Sequence, residues 1–217
     1  MIPLQAVHFK VIQMVHFILI YPVHLKVIWA VHLKCCNHFT IVISLHAQDA
    51  HLKFKGIPID GPLTEFVNKM KGAGFTHLGT KEGMAALQGD FAGYRSCTVA
   101  VFTVQPLNVV SMIGVVFRPR DNWADLESDY NFFKDMLTEK YGSPSVVVEE
   151  FDRSPQDNND KLYELQMNRC TWVSGFQTDL GKIELSIEYQ DLQSRVVLRY
   201  RDKINTEKVR KQALEDL

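Results

Sequence analysis

The sequence predicts an α+β fold: two helix-plus-four-strand repeats that form an antiparallel sheet with helices packed on one face. Strand-like segments occur in runs joined by short turns, which is typical of antiparallel α+β proteins and not of a βαβ sheet. Each run is preceded by a segment with the one-sided apolar stripe of an amphipathic helix. Of the 217 residues, 46% are hydrophobic and 23% are charged, as in a globular domain with a buried core.

The first 33 residues form a repetitive extension unlike the rest of the chain. Val-His pairs recur every eight residues, beginning at Val7, Val15, Val23 and Val31. In a strand, successive histidines of this repeat would lie about 26 Å apart, too far to share a metal ion, and in a helix they would spiral around the surface. Lysines interrupt the apolar run, which argues against a membrane span. We interpret residues 1–33 as sequence upstream of a misassigned start; the alternative is an interfacial membrane anchor.

Residues 34–47 have the layout of a secretory signal peptide. Lys34 supplies a positive charge, residues 39–45 form a short apolar run, and the small Ala47 precedes Gln48. This pattern predicts a mature domain of residues 48–217 in the periplasm or outside the cell. The alternative is an ordinary buried strand at residues 39–45.

The distribution of charge changes sharply at the end of this segment. The first 48 residues contain three lysines and no acidic residue. The remaining residues contain the other 21 of the 24 Lys+Arg and all 25 Asp+Glu, which gives them a net charge of −4. Six of the eight histidines also lie in the first 46 residues. The acidic remainder lacks the basic stripe that nucleic-acid binding requires, so we expect no nucleic-acid partner.

The first repeat is predicted over residues 51–118. After a short strand, a helix is indicated by an apolar stripe at i, i+3, i+4 and i+7: Leu63, Phe66, Val67 and Met70. Gly74 suits the left-handed position at its C-terminal end. Four segments rich in β-branched and aromatic residues follow, at about 75–80, 84–91, 94–104 and 107–118.

The second repeat is predicted over residues 121–202. Its helix has an apolar stripe composed of Trp123, Leu126, Tyr130, Phe133 and Leu137. Asp121 or Asn122 can cap this helix, and Gly142 can end it. Strands are predicted at 145–151, 170–178, 181–190 and 194–202. A polar loop and a short helix at 162–167 are predicted between the first two of these strands. A charged helix is predicted at 205–217.

Several stretches of residues 50–217 carry a resemblance. They are "HLKFKGIPIDGPLTEFVNKMKGAGF", "LQGDFAGYRSCTV", "FKDMLTEKYGSP" and "YELQMNRC". These stretches are similar to small exported proteins of Gram-negative gut anaerobes, which implies export but no particular activity. The doubled helix-plus-four-strand order also resembles the topology of the secreted beta-lactamase inhibitory protein. This second resemblance implies a binding module and assigns no residue a role.

Two cysteines, Cys97 and Cys170, remain after residues 1–47 are removed. In an oxidising compartment they can form one disulfide, which would stabilise the fold by about 4 kcal/mol in the chain-entropy model. The alternative is two separate buried thiols. Neither belongs to a CxxC pair, so neither a zinc finger nor a thioredoxin-type site is indicated.

The sequence indicates no catalytic residue, cofactor site or metal site. It contains no dinucleotide fingerprint, P-loop, nucleophile elbow or HExxH motif. Within residues 48–217 the only histidines are His51 and His77, and both are expected at the surface. The acidic stretch of residues 157–160 lacks the spacing of a calcium loop, so we expect a solvated loop there.

Four strand aromatics are candidate contacts with a partner: Tyr94, Phe102, Trp172 and Phe176. By strand alternation, Tyr94 and Phe102 would share one face, as would Trp172 and Phe176. We therefore expect a non-enzymatic binding or structural protein of the cell envelope that contacts another envelope or extracellular protein through an open sheet face. The alternatives are an envelope hydrolase that uses sheet carboxylates and a peripheral membrane protein anchored by its N-terminus.

Overall fold

An eight-stranded antiparallel sheet organises the chain. The structure is a computed structural model and describes residues 51–104 and 107–215. The extension at 1–33, the signal-like segment at 34–47 and the mature start at Gln48 therefore lie outside the described residues. The predicted α+β class is confirmed.

The bounds of the elements follow the sequence pattern closely. The strands are β1 Lys53–Phe54, β2 Ile57–Pro58, β3 Thr76–Lys81, β4 Met84–Phe91, β5 Tyr94–Val104, β6 Val109–Val116, β7 Val146–Phe151, β8 Cys170–Thr178, β9 Gly181–Gln190 and β10 Gln193–Asp202. The helices are α1 Leu63–Gly72, α2 Trp123–Tyr141, α3 Asn158–Gln166 and α4 Lys203–Glu215.

The order of strands in the large sheet is β3-β4-β5-β6-β10-β9-β8-β7, while β1 and β2 form a separate hairpin. The two four-strand runs meet at the centre, where β6 pairs with β10 and Val115 lies opposite Leu198. Each run is preceded by a helix, and α3 is inserted in the second run. That the two runs are repeats of one another stays a prediction.

One face of the sheet, here called the inner face, carries the hydrophobic core. Along β9, Ile183, Leu185 and Ile187 are buried on this face, as their alternation with polar residues predicts. The stripes of α1 and α2 belong to the same core cluster. The buried Tyr130 hydroxyl of α2 and the Ser174 hydroxyl of β8 form a hydrogen bond of 2.6 Å, which fixes this helix on the inner face.

The helix ends are set by local chemistry. Asn122 caps α2 by accepting a hydrogen bond of 2.8 Å from the Asp125 amide, as predicted. The polar stretch expected as a loop is partly helical: α3 begins at Asn158 and not near residue 162. The reason is Asp157, whose carboxylate accepts hydrogen bonds from the Asn159 and Asp160 amides and starts the helix early.

A polar network joins the start of the described chain to its last strand. The Asp202 carboxylate, with 0% exposure, accepts hydrogen bonds from the Leu52 amide at 2.9 Å and the Asn205 amide at 2.9 Å. The Asn205 side chain in turn donates to the carbonyls of Ile59 and Val110. The network therefore holds the β1–β2 hairpin, β6 and α4 together at one end of the sheet.

Candidate functional site: the outer face of the sheet

The second face of the sheet, here called the outer face, lies away from the core. Its side chains alternate with the inner ones, and among the described residues its apolar side chains lie outside the hydrophobic core cluster, although Val197 is itself buried. Strand register arranges them in rows across the sheet. Two of these rows are Met84–Phe102–Met112–Arg201 and Ala86–Ala100–Gly114–Arg199–Glu184.

One half of the outer face is an apolar patch, defined here by Met84, Ala100, Phe102, Met112 and Gly114. Met84 and Met112 flank Phe102 on the neighbouring strands, and all three side chains are half-buried. Beside them the surface is lined by small residues, and a Cβ placed at Gly114 would lie 3.7 Å from the Phe102 ring. The large side chains of Met84, Phe102 and Met112 therefore project beyond the small residues Ala100 and Gly114, which leaves a shallow depression that a complementary surface can fill.

The centre of the outer face is a charged network built around Arg199. Its guanidinium donates two hydrogen bonds to Glu188, at 2.5 and 2.7 Å, and one to Glu184 at 3.3 Å. Ser186 also donates to Glu188. Burial would raise the pKa of Glu188, but the hydrogen bonds from Arg199 and Ser186 lower it below its usual value. The pair is thus held in its ionised form and stabilises the register of β9 and β10.

A second feature, here called the arginine pocket, lies where β5 begins and β6 and β10 meet at their ends. It has a volume of about 350 Å³ and is lined by Arg95, Ser96, Thr98, Val116, Phe117, Arg118, Pro119 and Arg195. The Nε atom of Arg195 is buried and has no hydrogen-bond partner. The lining contains three cationic groups and no carboxylate.

A cleft opens between β8 and β9. These strands pair only between Val173↔Ser186 and Thr178↔Gly181, and they separate beyond Val173. The resulting space of about 560 Å³ is lined on one side by Trp172 and on the other by Ile187. The Trp172 indole nitrogen is buried there without a hydrogen-bond partner.

The four predicted contact aromatics do not lie together. Phe102 lies on the outer face. Tyr94 lies on the inner side, where its hydroxyl donates to Asp129 at 2.8 Å, because a bulge near Ser96, with a φ of 56°, adds a residue to β5 and reverses the alternation. Trp172 and Phe176 share a face, as predicted, but it is the inner one. Only Phe102 of the four is therefore placed to meet a partner on the outer face.

The candidate disulfide is not formed. Cys97 and Cys170 are both free thiols. They lie on β5 and β8, and three strands stand between these two, so their backbones are about 19 Å apart at roughly 4.8 Å per strand. A disulfide requires Cα atoms within about 7 Å, which this fold does not allow. The two-thiol alternative describes the structure.

The two histidines have different surroundings. His77 is near the surface and bonds the Thr80 hydroxyl at 2.9 Å. His51, expected at the surface, is largely buried: one ring nitrogen lies 3.0 Å from Asp202 and the other 3.4 Å from Asp60. The contacts described for His51 include no nucleophilic side chain. We therefore interpret His51 as a structural residue that links the start of the described chain to Asp60 and Asp202.

Within residues 51–104 and 107–215, no group of three or more His, Cys, Asp or Glu side chains is arranged to hold a metal ion. In the same part of the chain, no helix is long and apolar enough to cross a membrane.

Sequence reasoning found the outer face but missed the arginine pocket. Arg95, Arg118 and Arg195 are far apart in the chain and form no motif. Only the strand order, which brings β5, β6 and β10 side by side, assembles them. Comparison of the chain with protein-family models, with curated proteins and with solved structures found no match.

Proposed function

We propose that this chain is an exported, non-enzymatic binding protein of the cell envelope, and that it binds another exported protein through the outer face of its sheet. The observation that carries the proposal is the asymmetry of the sheet. Helices α1 and α2 contribute to the core cluster on the inner face, whereas Met84, Phe102 and Met112 of the outer face lie outside that cluster. A sheet face with half-buried apolar side chains is a natural surface for a partner.

The composition of the outer face supports a protein partner. Phe102, Met84 and Met112 are of the residue types enriched at protein interfaces, and they form one row. The central ion pair of Arg199 and Glu188 lies next to this patch and is already neutralised internally. We therefore expect the partner to contact Ala100 and Gly114, beside Phe102, with an apolar segment. The partner does not need charged groups opposite Arg199 and Glu188, because these two residues neutralise each other.

The acidic groups support binding over hydrolysis. A carboxyl group that acts as a general acid needs a raised pKa. Where the surroundings shift a carboxyl group of the described chain, at Asp60, Glu164 and Glu188, the pKa is lowered. Hydrogen bonds from Asn205, Arg169 and Arg199 respectively hold these groups in the ionised form. This arrangement suits ion pairing and not proton donation.

Export is proposed from the sequence of residues 34–47. The test is the intact mass of the protein recovered from the envelope of its native host. A chain that begins near Gln48 supports export. A chain that still carries residues 1–47 contradicts it and favours the peripheral membrane alternative, in which the N-terminus is the anchor.

The binding face is tested separately, by A100E. Ala100 lies on the floor of the apolar patch, so a glutamate there places an unpaired charge where the partner must dock. The control is M136E, at an exposed position of α2. A photo-reactive phenylalanine analogue at position 102 should cross-link one specific envelope protein in wild type and in M136E, and lose that cross-link in A100E.

Circular dichroism must show that both variants are folded. Cross-linking that persists in A100E, or that occurs equally from an analogue at position 136, contradicts the use of the outer face.

A further inference from the structure

The arginine pocket is lined by three arginines and by no carboxylate, in contrast to the three arginines of the described chain that are ion-paired. Arg120 donates hydrogen bonds of 2.7 and 3.1 Å to Asp129. Arg169 donates two hydrogen bonds to Glu164, and Arg199 donates two to Glu188 and one to Glu184. Arg95, Arg118 and Arg195 form no ion pair within the described part of the chain. Three arginines thus line one pocket that has no carboxylate among its lining residues.

Two carboxylates, Glu188 and Asp90, lie next to lining residues of the pocket but do not line it themselves. Glu188 lies directly opposite Arg195 in the register of β9 and β10, yet it is bound by Arg199. Asp90 accepts a hydrogen bond from the Ser96 amide at 3.0 Å, and it does not line the pocket. Arg195 lines the pocket and forms no ion pair within the described part of the chain, while its Nε atom is closed off from solvent.

The shape and polarity of the pocket fit a small oxyanion. Guanidinium groups bind oxyanions through paired N–H donors, and Ser96 and Thr98 add two hydroxyl groups to the lining. Three positive charges exceed what a single carboxylate neutralises, whereas a phosphate group carries about −1.5 to −2 at neutral pH. Val116, Phe117 and Pro119 supply an apolar wall that limits access of water on one side.

We propose that the arginine pocket is a binding site for a phosphate group, with Arg195 as the central donor and Arg95 and Arg118 as outer donors. This proposal does not rest on the proposed protein-binding function: the pocket lies on the same outer face, but it shares no residue with the apolar patch. The phosphate could be free or part of a lipid headgroup, and both sources present the same chemistry to the pocket.

The test is calorimetric titration of the full chain with inorganic phosphate at constant ionic strength, with acetate as the carboxylate comparison. We expect saturable binding of one phosphate with a dissociation constant below about 1 mM, and acetate weaker by about tenfold. R195Q should weaken phosphate binding by about tenfold or more. R118Q, at an exposed position, provides the same test if R195Q fails to fold.

The matched control is R201Q. Arg201 lies on the same strand and face as Arg195 but roughly 20 Å away, at about 3.3 Å per residue, and it does not line the pocket. Phosphate binding should be unchanged in R201Q. Equal losses in R195Q and R201Q would show general charge attraction and overturn the site. Acetate that binds as tightly as phosphate would also overturn it.

A second arm identifies the source of the phosphate. The full chain is sedimented with phosphatidylcholine vesicles that contain phosphatidic acid, and with vesicles of phosphatidylcholine alone. Binding to the former that is lost in R195Q and kept in R201Q supports a lipid headgroup. Binding of inorganic phosphate without vesicle binding supports a soluble phosphate compound. Absence of both kinds of binding would overturn the proposal.

Discussion

Asp202 is expected to be among the most sensitive positions of the domain. Its carboxylate is fully buried and accepts hydrogen bonds from the Leu52 amide on one oxygen and from the Asn205 amide and His51 on the other. In D202N an amide nitrogen must replace one of these oxygens, so at least one buried backbone N–H group loses its acceptor. An unsatisfied buried donor costs about 1–3 kcal/mol, and more where the acceptor was charged, so we expect a loss of about 2–4 kcal/mol in the free energy of unfolding.

The assay is thermal and urea unfolding followed by circular dichroism. For a domain of this size, the expected loss corresponds to a fall of about 4–16 °C in Tm. D179N is the control, because Asp179 is exposed in the turn between β8 and β9, and it should change stability by less than about 0.5 kcal/mol. A D202N domain as stable as D179N would refute the role given to the buried network.

Three further predictions concern the sheet. In G181A the new Cβ would lie 2.1 Å from the Arg201 carbonyl oxygen, a backbone atom, so urea unfolding should show a loss of about 3 kcal/mol or more; a smaller loss would mean that β9 and β10 can separate there. The pKa of Glu188 in the folded state lies below the ordinary value of 4.5, so its contribution is present above that pH and is lost as the pH falls through the folded value. The stability difference between wild type and E188Q should therefore shrink between about pH 5 and pH 3, and a constant difference would argue against the ion pair. Burial raises the pKa of the Cys170 thiol to about 12 and raises that of Cys97, so both should resist alkylation at pH 8 when folded and react in urea without a reductant; a need for reductant would reveal a disulfide.

The helices and strands were predictable because local chemistry determines them. The apolar stripe of α1 and the Asn122 cap of α2 are visible in the sequence, and the structure follows both. The early start of α3 was missed because Asp157 lies in a polar stretch without an apolar stripe, although an aspartate followed by a second acidic residue three positions later is an N-terminal signal.

The candidate site was less predictable because it depends on strand order and on one irregularity. Strand alternation placed Phe102 and Tyr94 together, but the bulge near Ser96 puts them on opposite faces. The distance between Cys97 and Cys170 depends on the position of β8 relative to β5, which no local pattern reveals. The arginine pocket is likewise a product of the meeting of β5, β6 and β10.

The network at Asp202 also bears on when the protein can fold. Its hydrogen bonds to Leu52 and His51 join residues 150 and 151 positions apart, and the central pairing of β6 with β10 joins one run of strands to the last strand of the other. Contacts of such long range are slow to form and need the whole domain to be synthesised. A growing chain therefore cannot complete this fold until its last strand has left the ribosome.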